Sequence, residues 1–179
     1  MNIKKTSVIV QDLKQLTSHY LENVERLSLQ QLQQVPSEGG WSLGQMYMHL
    51  IGTALHMQLK NAERCLSGNG DPFEEPAKTE AGTKIFELGG FPPVRVQVPP
   101  SPQYTPAQPE SKEQLVAGLH QAAAKMEELE ARVNESAEEH RAVHPRLGAL
   151  TALEWFALTE MHYRHHLLQE ERLLQALGA

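Results

Sequence analysis

The sequence has one cysteine, no cluster of lysine and arginine, and no apolar run of bilayer length. Each shortage excludes something. Cys65 alone cannot form an internal disulfide, which fits folding in a reducing cytosol. Its expected role is helix packing, because no base stands near it in the sequence to activate a thiol. A membrane-spanning helix needs about 20 consecutive apolar residues, and none is present. The N-terminal stretch MNIKKTSVIVQDLKQL has only a short apolar run and no small-residue cleavage site, so no signal peptide is read there. A cytoplasmic location without a membrane partner is the expectation. The formal net charge is -6 and the pI about 5.8. A duplex-binding protein carries a basic face, so nucleic acid is disfavoured as a partner.

What is present is helical patterning in 179 residues, enough for one domain with a real core. Val10, Leu13, Leu16, Tyr20, Val24 and Leu27 recur at spacings of three and four, which predicts a first helix over about 8–34. Pro36, Gly39 and Gly40 end it. Ser42 and Gln45 form a capping box that opens a second helix, with Trp41 and Met46 as its hydrophobic staple. That helix is expected to reach about Leu66. Residues 67–110 form a long crossover holding nine of the 11 prolines, with a short helical piece over 79–88. Within it, Val94 to Val98 is the longest strand-like pattern. Ser111 and Gln114 open the third helix. Its buried stripe is Leu115, Leu119, Ala122, Met126, Leu129 and Val133, and it fades before Pro145. Thr151 and Glu154 open the fourth, stapled by Leu150 and Trp155 and running to about Leu177. The expected fold class is all-α, a four-helix bundle in up-down-down-up order with the Pro-rich crossover between the second and third helices. One domain is expected to cover residues 1–179.

Nine histidines are many for such a chain. His19, His56, His120 and His140 sit among polar neighbours, His144 precedes Pro145 in an expected loop, and His165 points away from its neighbour. His162 and His166 differ. Spacing of four puts both imidazoles on one helix face, a geometry that can chelate one metal ion. That face also carries Trp155, Leu158, Gln169 and Leu173, so the pair points into the core. Buried polar groups need partners, at a cost of about 1–3 kcal/mol when they lack one. His49 shares an inward face with Met46, Leu50, Thr53 and Met57. By itself it reads as a hydrogen-bonded core histidine; three inward histidines on two helices read as a metal site. Their levels along the bundle agree within one or two turns at 1.5 Å per residue.

Other metal motifs fail. A zinc-protease helix needs Glu after its first histidine, where this chain has Tyr163. Carboxylate di-iron bundles need Glu three residues before a histidine, and no histidine here has it. Three imidazoles favour Zn, Ni or Fe over Mg or Ca and leave coordination positions open to water or substrate. Gln45 and Gln169, one turn from ligands, are candidates to orient imidazoles, against plain capping for Gln45 and packing for Gln169. Tyr47, Tyr163 and Glu160 lie near the ligands in sequence but face other directions, so no general base is assigned.

W-S-L-G-Q-M-Y-M-H-L in the second helix and M-H-Y-R-H-H-L-L-Q-E-E-R-L in the fourth resemble the first and last motifs of the DinB/YfiT superfamily. H-P-R-L-G-A-L-T-A-L-E-W resembles one branch of it, departing at Leu147 where that branch is often aromatic. The resemblance implies an up-down-down-up four-helix bundle, commonly a homodimer. It implies a divalent metal held by His49, His162 and His166, and a chemistry that in some members is thiol-dependent transfer or isomerisation with a small thiol cofactor. Three readings follow. The first is a metal-dependent enzyme, a thiol-dependent transferase or a hydrolase acting on a small molecule. The second is a metal-binding or dimeric interaction protein without catalysis. The third has no metal, the histidines being hydrogen-bonded in the core.

Overall fold

Periodic apolar stripes and local capping signals build the observed elements. The computed structural model describes residues 3–37, 39–72, 77–93, 105–136 and 140–178. Helix α1 spans Thr6–Arg26 and buries Ile9, Val10, Leu13, Tyr20 and Val24. It stops earlier than its apolar stripe predicts. Leu27 is extended, and Ser28 with Gln31 forms a capping box that starts a separate short helix, α2, Leu29–Gln33. The cap overrides the periodicity because Ser28 gives the backbone N–H of Gln31 a side-chain acceptor in a non-helical conformation.

Helix α3 spans Leu43–Thr53 and opens with the predicted box of Ser42 and Gln45. It continues through a π-helical turn, Ala54–Gln58, into α4, Leu59–Leu66. The expected uninterrupted α-helix thus contains one widened turn, just after Thr53. Such turns are frequent at functional sites.

The crossover is partly built. It contributes a two-residue strand, β1, Asp71–Pro72, and helix α5, Glu80–Leu88, capped by Thr79 and ended by Gly89 in the left-handed region. Val94 to Val98, the strand-like pattern, lies outside the described residues. The end of the crossover is pinned to the start of α3. Gln45 donates to the Pro106 carbonyl, Ser42 to Gln108, and Gln33 to the Pro109 carbonyl.

Helix α6 spans Lys112–Asn134 with Ser111 as its cap. Its box is half formed, since the Gln114 side chain accepts from the Glu110 backbone instead. Between α6 and the last helix the sequence reading expected a loop. The chain forms a hairpin there, β2 His140–His144 and β3 Gly148–Thr151, paired antiparallel, with β1 on the outer edge of β2. The His144 Nδ1 accepts from the backbone N–H groups of Arg146 and Leu147 and so shapes the turn. Leu147 is buried in it. Helix α7, Ala152–Leu177, follows with the complete Thr151 and Glu154 box.

The long helices α1, α3 with α4, α6 and α7 pack on one another around one contiguous apolar cluster. Tyr20, Tyr47, Trp155, Phe156 and Tyr163 are fully buried in it. Each large side chain so buried contributes about 1.5–3 kcal/mol against the entropy of ordering the chain. The structure is mostly helical, with the small sheet at one margin. Among the described residues no helix is long and apolar enough to cross a membrane.

Candidate metal centre

Helix α3 carries His49 two turns after its cap, and α7 carries His162 and His166 near its middle. The two helices pack against each other. The structure brings the three imidazoles together, with their ligand atoms all within 4.8 Å of one another. The His49 and His166 Nε2 atoms each lie 3.1 Å from the His162 Nε2. The rings of His162 and His166 stand nearly perpendicular, at 87°. His166 is 8% exposed, while His49 and His162 are half-buried.

Hydrogen bonding alone does not account for this arrangement. The His166 Nδ1–H donates to Gln169 Oε1 at 2.9 Å, which leaves its Nε2 as a bare lone pair. Thr53 Oγ1 reaches the His49 Nδ1 at 3.4 Å and can act on that ring in the same way. The His162 Nε2 faces two neighbours. If it carries a proton it has only one to share between them, and if it is bare the His166 Nε2, also bare, can give it none, so the two contacts are not both full hydrogen bonds. Three nitrogens presented to a shared point are what a cation accepts. Tetrahedral Zn–N bonds of about 2.0–2.1 Å separate ligand nitrogens by roughly 3.3–3.4 Å, and an octahedral site brings them to about 3.0 Å. The observed 3.1 Å falls within this range. The donor set fits a borderline-soft divalent metal.

Burial favours the same state. It pulls His49 down to about 4 and His166 down to about 3, the latter helped by neighbouring imidazoles. His162 is pushed well below the ordinary imidazole range, by burial first and then by His166 and His49. All three are therefore neutral at pH 7, as metal ligands must be.

Two aromatic rings flank the cluster. Trp41 lies 4.9 Å from the His49 ring, and Phe91 lies 6.3 Å from His162 and 5.2 Å from His165. The staple residue Trp41 thus also lies against a candidate ligand. Phe91 is set by α5, whose end is tied to α7 where Arg164 donates to the Gly89 carbonyl at 2.7 Å.

Of the two glutamines singled out, Gln169 touches an imidazole and Gln45 does not. Gln45 is occupied by its cap and by Pro106. Tyr47 and Glu160 bond elsewhere. Tyr47 donates to Glu170, and Glu160 pairs with Arg164 and Lys4. The Tyr163 hydroxyl is buried without a hydrogen-bond partner among the described residues. Sequence reasoning missed Glu170, which is 1% exposed; His19 is exposed, as its polar neighbours led one to expect, and pairs with that carboxylate. One signal was available: Glu170 follows His166 by four residues on the same inward face.

A search of curated proteins finds no match to the chain. The model of one protein family matches residues 12–169, a span that contains α3, the hairpin and all three histidines. With its helical architecture and its histidine cluster, the chain belongs to the DinB superfamily.

Proposed function

We propose that the protein is a divalent-metal-dependent enzyme acting on a small molecule, a thiol-dependent transferase or a hydrolase, with His49, His162 and His166 as the metal ligands. The observation that carries this reading is the approach of the His49 and His166 Nε2 atoms to that of His162, at 3.1 Å each. A bound Zn, Ni or Fe ion would lower the pKa of a coordinated water or thiol and so make a nucleophile at neutral pH. The protein's own residues do the rest. Gln169 fixes the His166 tautomer by accepting its Nδ1 proton. Trp41 and Phe91 supply apolar flanks to the site. Among the described residues three protein ligands converge, which leaves positions for a substrate.

The wider setting belongs to the same proposal. We read α1, α3 with α4, α6 and α7 as an up-down-down-up bundle forming one domain over residues 1–179, in a cytoplasmic homodimer that binds neither nucleic acid nor membrane. Their mutual packing and the single core support the bundle; family membership supports the metal.

The test uses protein purified without a histidine tag. Elemental analysis is expected to find close to one equivalent of a transition metal. A panel of small thiols with an electrophile, alongside a panel of hydrolysable esters and amides, is expected to show turnover that chelation abolishes. Turnover no greater than that of His49→Ala across both panels would refute the enzyme, and metal binding without turnover would favour the interaction protein.

A further inference from the structure

We propose that Glu170 is a positioning residue for the three-histidine centre, locking the two ligand-bearing helices to each other and to α1. The inference rests on the metal reading above and goes beyond it.

Glu170 continues the ligand face of α7, one turn past His166, and is 1% exposed. A buried carboxylate is tolerated only when its oxygens are fully engaged. Three donors engage this one. The Tyr47 hydroxyl donates to Oε1 at 2.5 Å, the Asn23 amide donates to the same oxygen at 3.0 Å, and the His19 Nε2–H donates to Oε2 at 2.6 Å. Their origin is the informative part. Tyr47 stands on α3, two residues before His49. Asn23 and His19 stand on α1, which packs along α7. One side chain on the His162 and His166 helix therefore holds the His49 helix directly, and α1 braces both.

A second tie acts on the same stretch. The Tyr20 hydroxyl, also from α1, donates to the Tyr163 carbonyl at 2.6 Å, within the turn that separates His162 from His166. The Tyr20 ring lies 5.4 Å from that of Tyr47 and 5.9 Å from that of Tyr163. One tie thus acts within the ligand turn and the other one turn beyond it. Metal–ligand distances tolerate only about 0.2 Å of error, so a small slip of α3 along α7 would be felt at the metal.

Glu154 supplies the contrast. It is equally buried on the same helix, but it serves the Thr151 cap and pairs with Lys78, and among the described residues it has no hydrogen bond to α3. If burial of a carboxylate in α7 were merely a matter of stability, the two residues would behave alike.

The experiment compares Tyr47→Phe and Glu170→Gln with Glu154→Gln and the unaltered chain. Zinc affinity is read by competition with a chromophoric chelator, site geometry from the visible spectrum of the Co(II) form, and stability from the melting of the apo protein. Tyr47→Phe and Glu170→Gln are expected to weaken zinc about tenfold and to shift the Co(II) bands, the size of effect typical of groups that orient ligands. Glu154→Gln is expected to lower the melting temperature with affinity and spectrum unchanged. Should Glu170→Gln fail to fold, Tyr47→Phe, which removes one oxygen atom, carries the test. Unaltered affinity and spectrum in Tyr47→Phe would overturn the proposal and leave the metal site standing. Failure of the unaltered chain to bind zinc would instead overturn the metal site, and the positioning role with it.

Discussion

Acidification separates a buried ligand set from an exposed one. Protons compete with the metal for each imidazole, and the apparent affinity falls by a factor of one plus ten to the power of pKa minus pH for each ligand. An ordinary imidazole at about 6.5 contributes a factor near 1.3 at pH 7 and about 30 at pH 5. Three such ligands would cost about four orders of magnitude across those two units. In this protein His49 lies at about 4 and His166 at about 3, with His162 also well below the usual range. Between pH 7 and pH 5 His49 and His166 together then cost less than about twofold, and His162 adds less than an ordinary imidazole would. The assay is competitive titration with zinc at both pH values, against a chelator whose own proton competition is known. A fall of a hundredfold or more (roughly) would refute the reasoning, because it would mean that these imidazoles are hydrated in the apo protein. The same shifts act oppositely on the metal-free fold. The folded pKa values lie below the unfolded ones, so the unfolded chain takes up more protons. This contribution to stability is complete above about pH 6.5 and is lost as pH falls through the window toward 4 and 3.

Other expectations follow from single contacts. Trp41 lies against His49, so Cu(II) or Co(II) binding should quench part of the tryptophan emission, and Trp41→Phe should abolish most of that quenching; equal quenching in the variant would place the metal elsewhere. Gly82→Ala would drive a methyl group into the Leu147 carbonyl where α5 meets the hairpin, and should cost about 1–3 kcal/mol in chemical denaturation. Gly52→Ala, in α3 with open space around it, should stabilise by about 0.5–1 kcal/mol; destabilisation would contradict the helix geometry next to the π turn.

Legibility in the sequence tracked the range of the interaction. The starts of α3 and α7 were readable because the pairs of Ser42 with Gln45 and Thr151 with Glu154 act over three residues. The same signal at Ser28 was masked by an apolar stripe that runs on past it, so the break between α1 and α2 was missed. The hairpin was missed because His144 looked like loop punctuation before Pro145, while its ring turns back to cap the Arg146 and Leu147 amides. In the candidate site, His162 and His166 stood out because spacing of four is local, and His49 because its apolar neighbours set its face. Gln169 was readable for the same reason. Glu170 shared that spacing but was passed over, since a glutamate reads as solvated until its partners are known. Those partners are His19, Asn23 and Tyr47, more than 120 residues away in the chain and brought close only by the fold.

Crystals grown from metal-free protein and soaked in zinc, with diffraction recorded on both sides of the zinc absorption edge, put the metal claim to its most direct test. The expected result is one anomalous peak per chain, about 2.0–2.1 Å from the Nε2 atoms of His49, His162 and His166. An anomalous map with no peak there, or with zinc bound only at other residues while the three imidazoles stay in contact with one another, would contradict it.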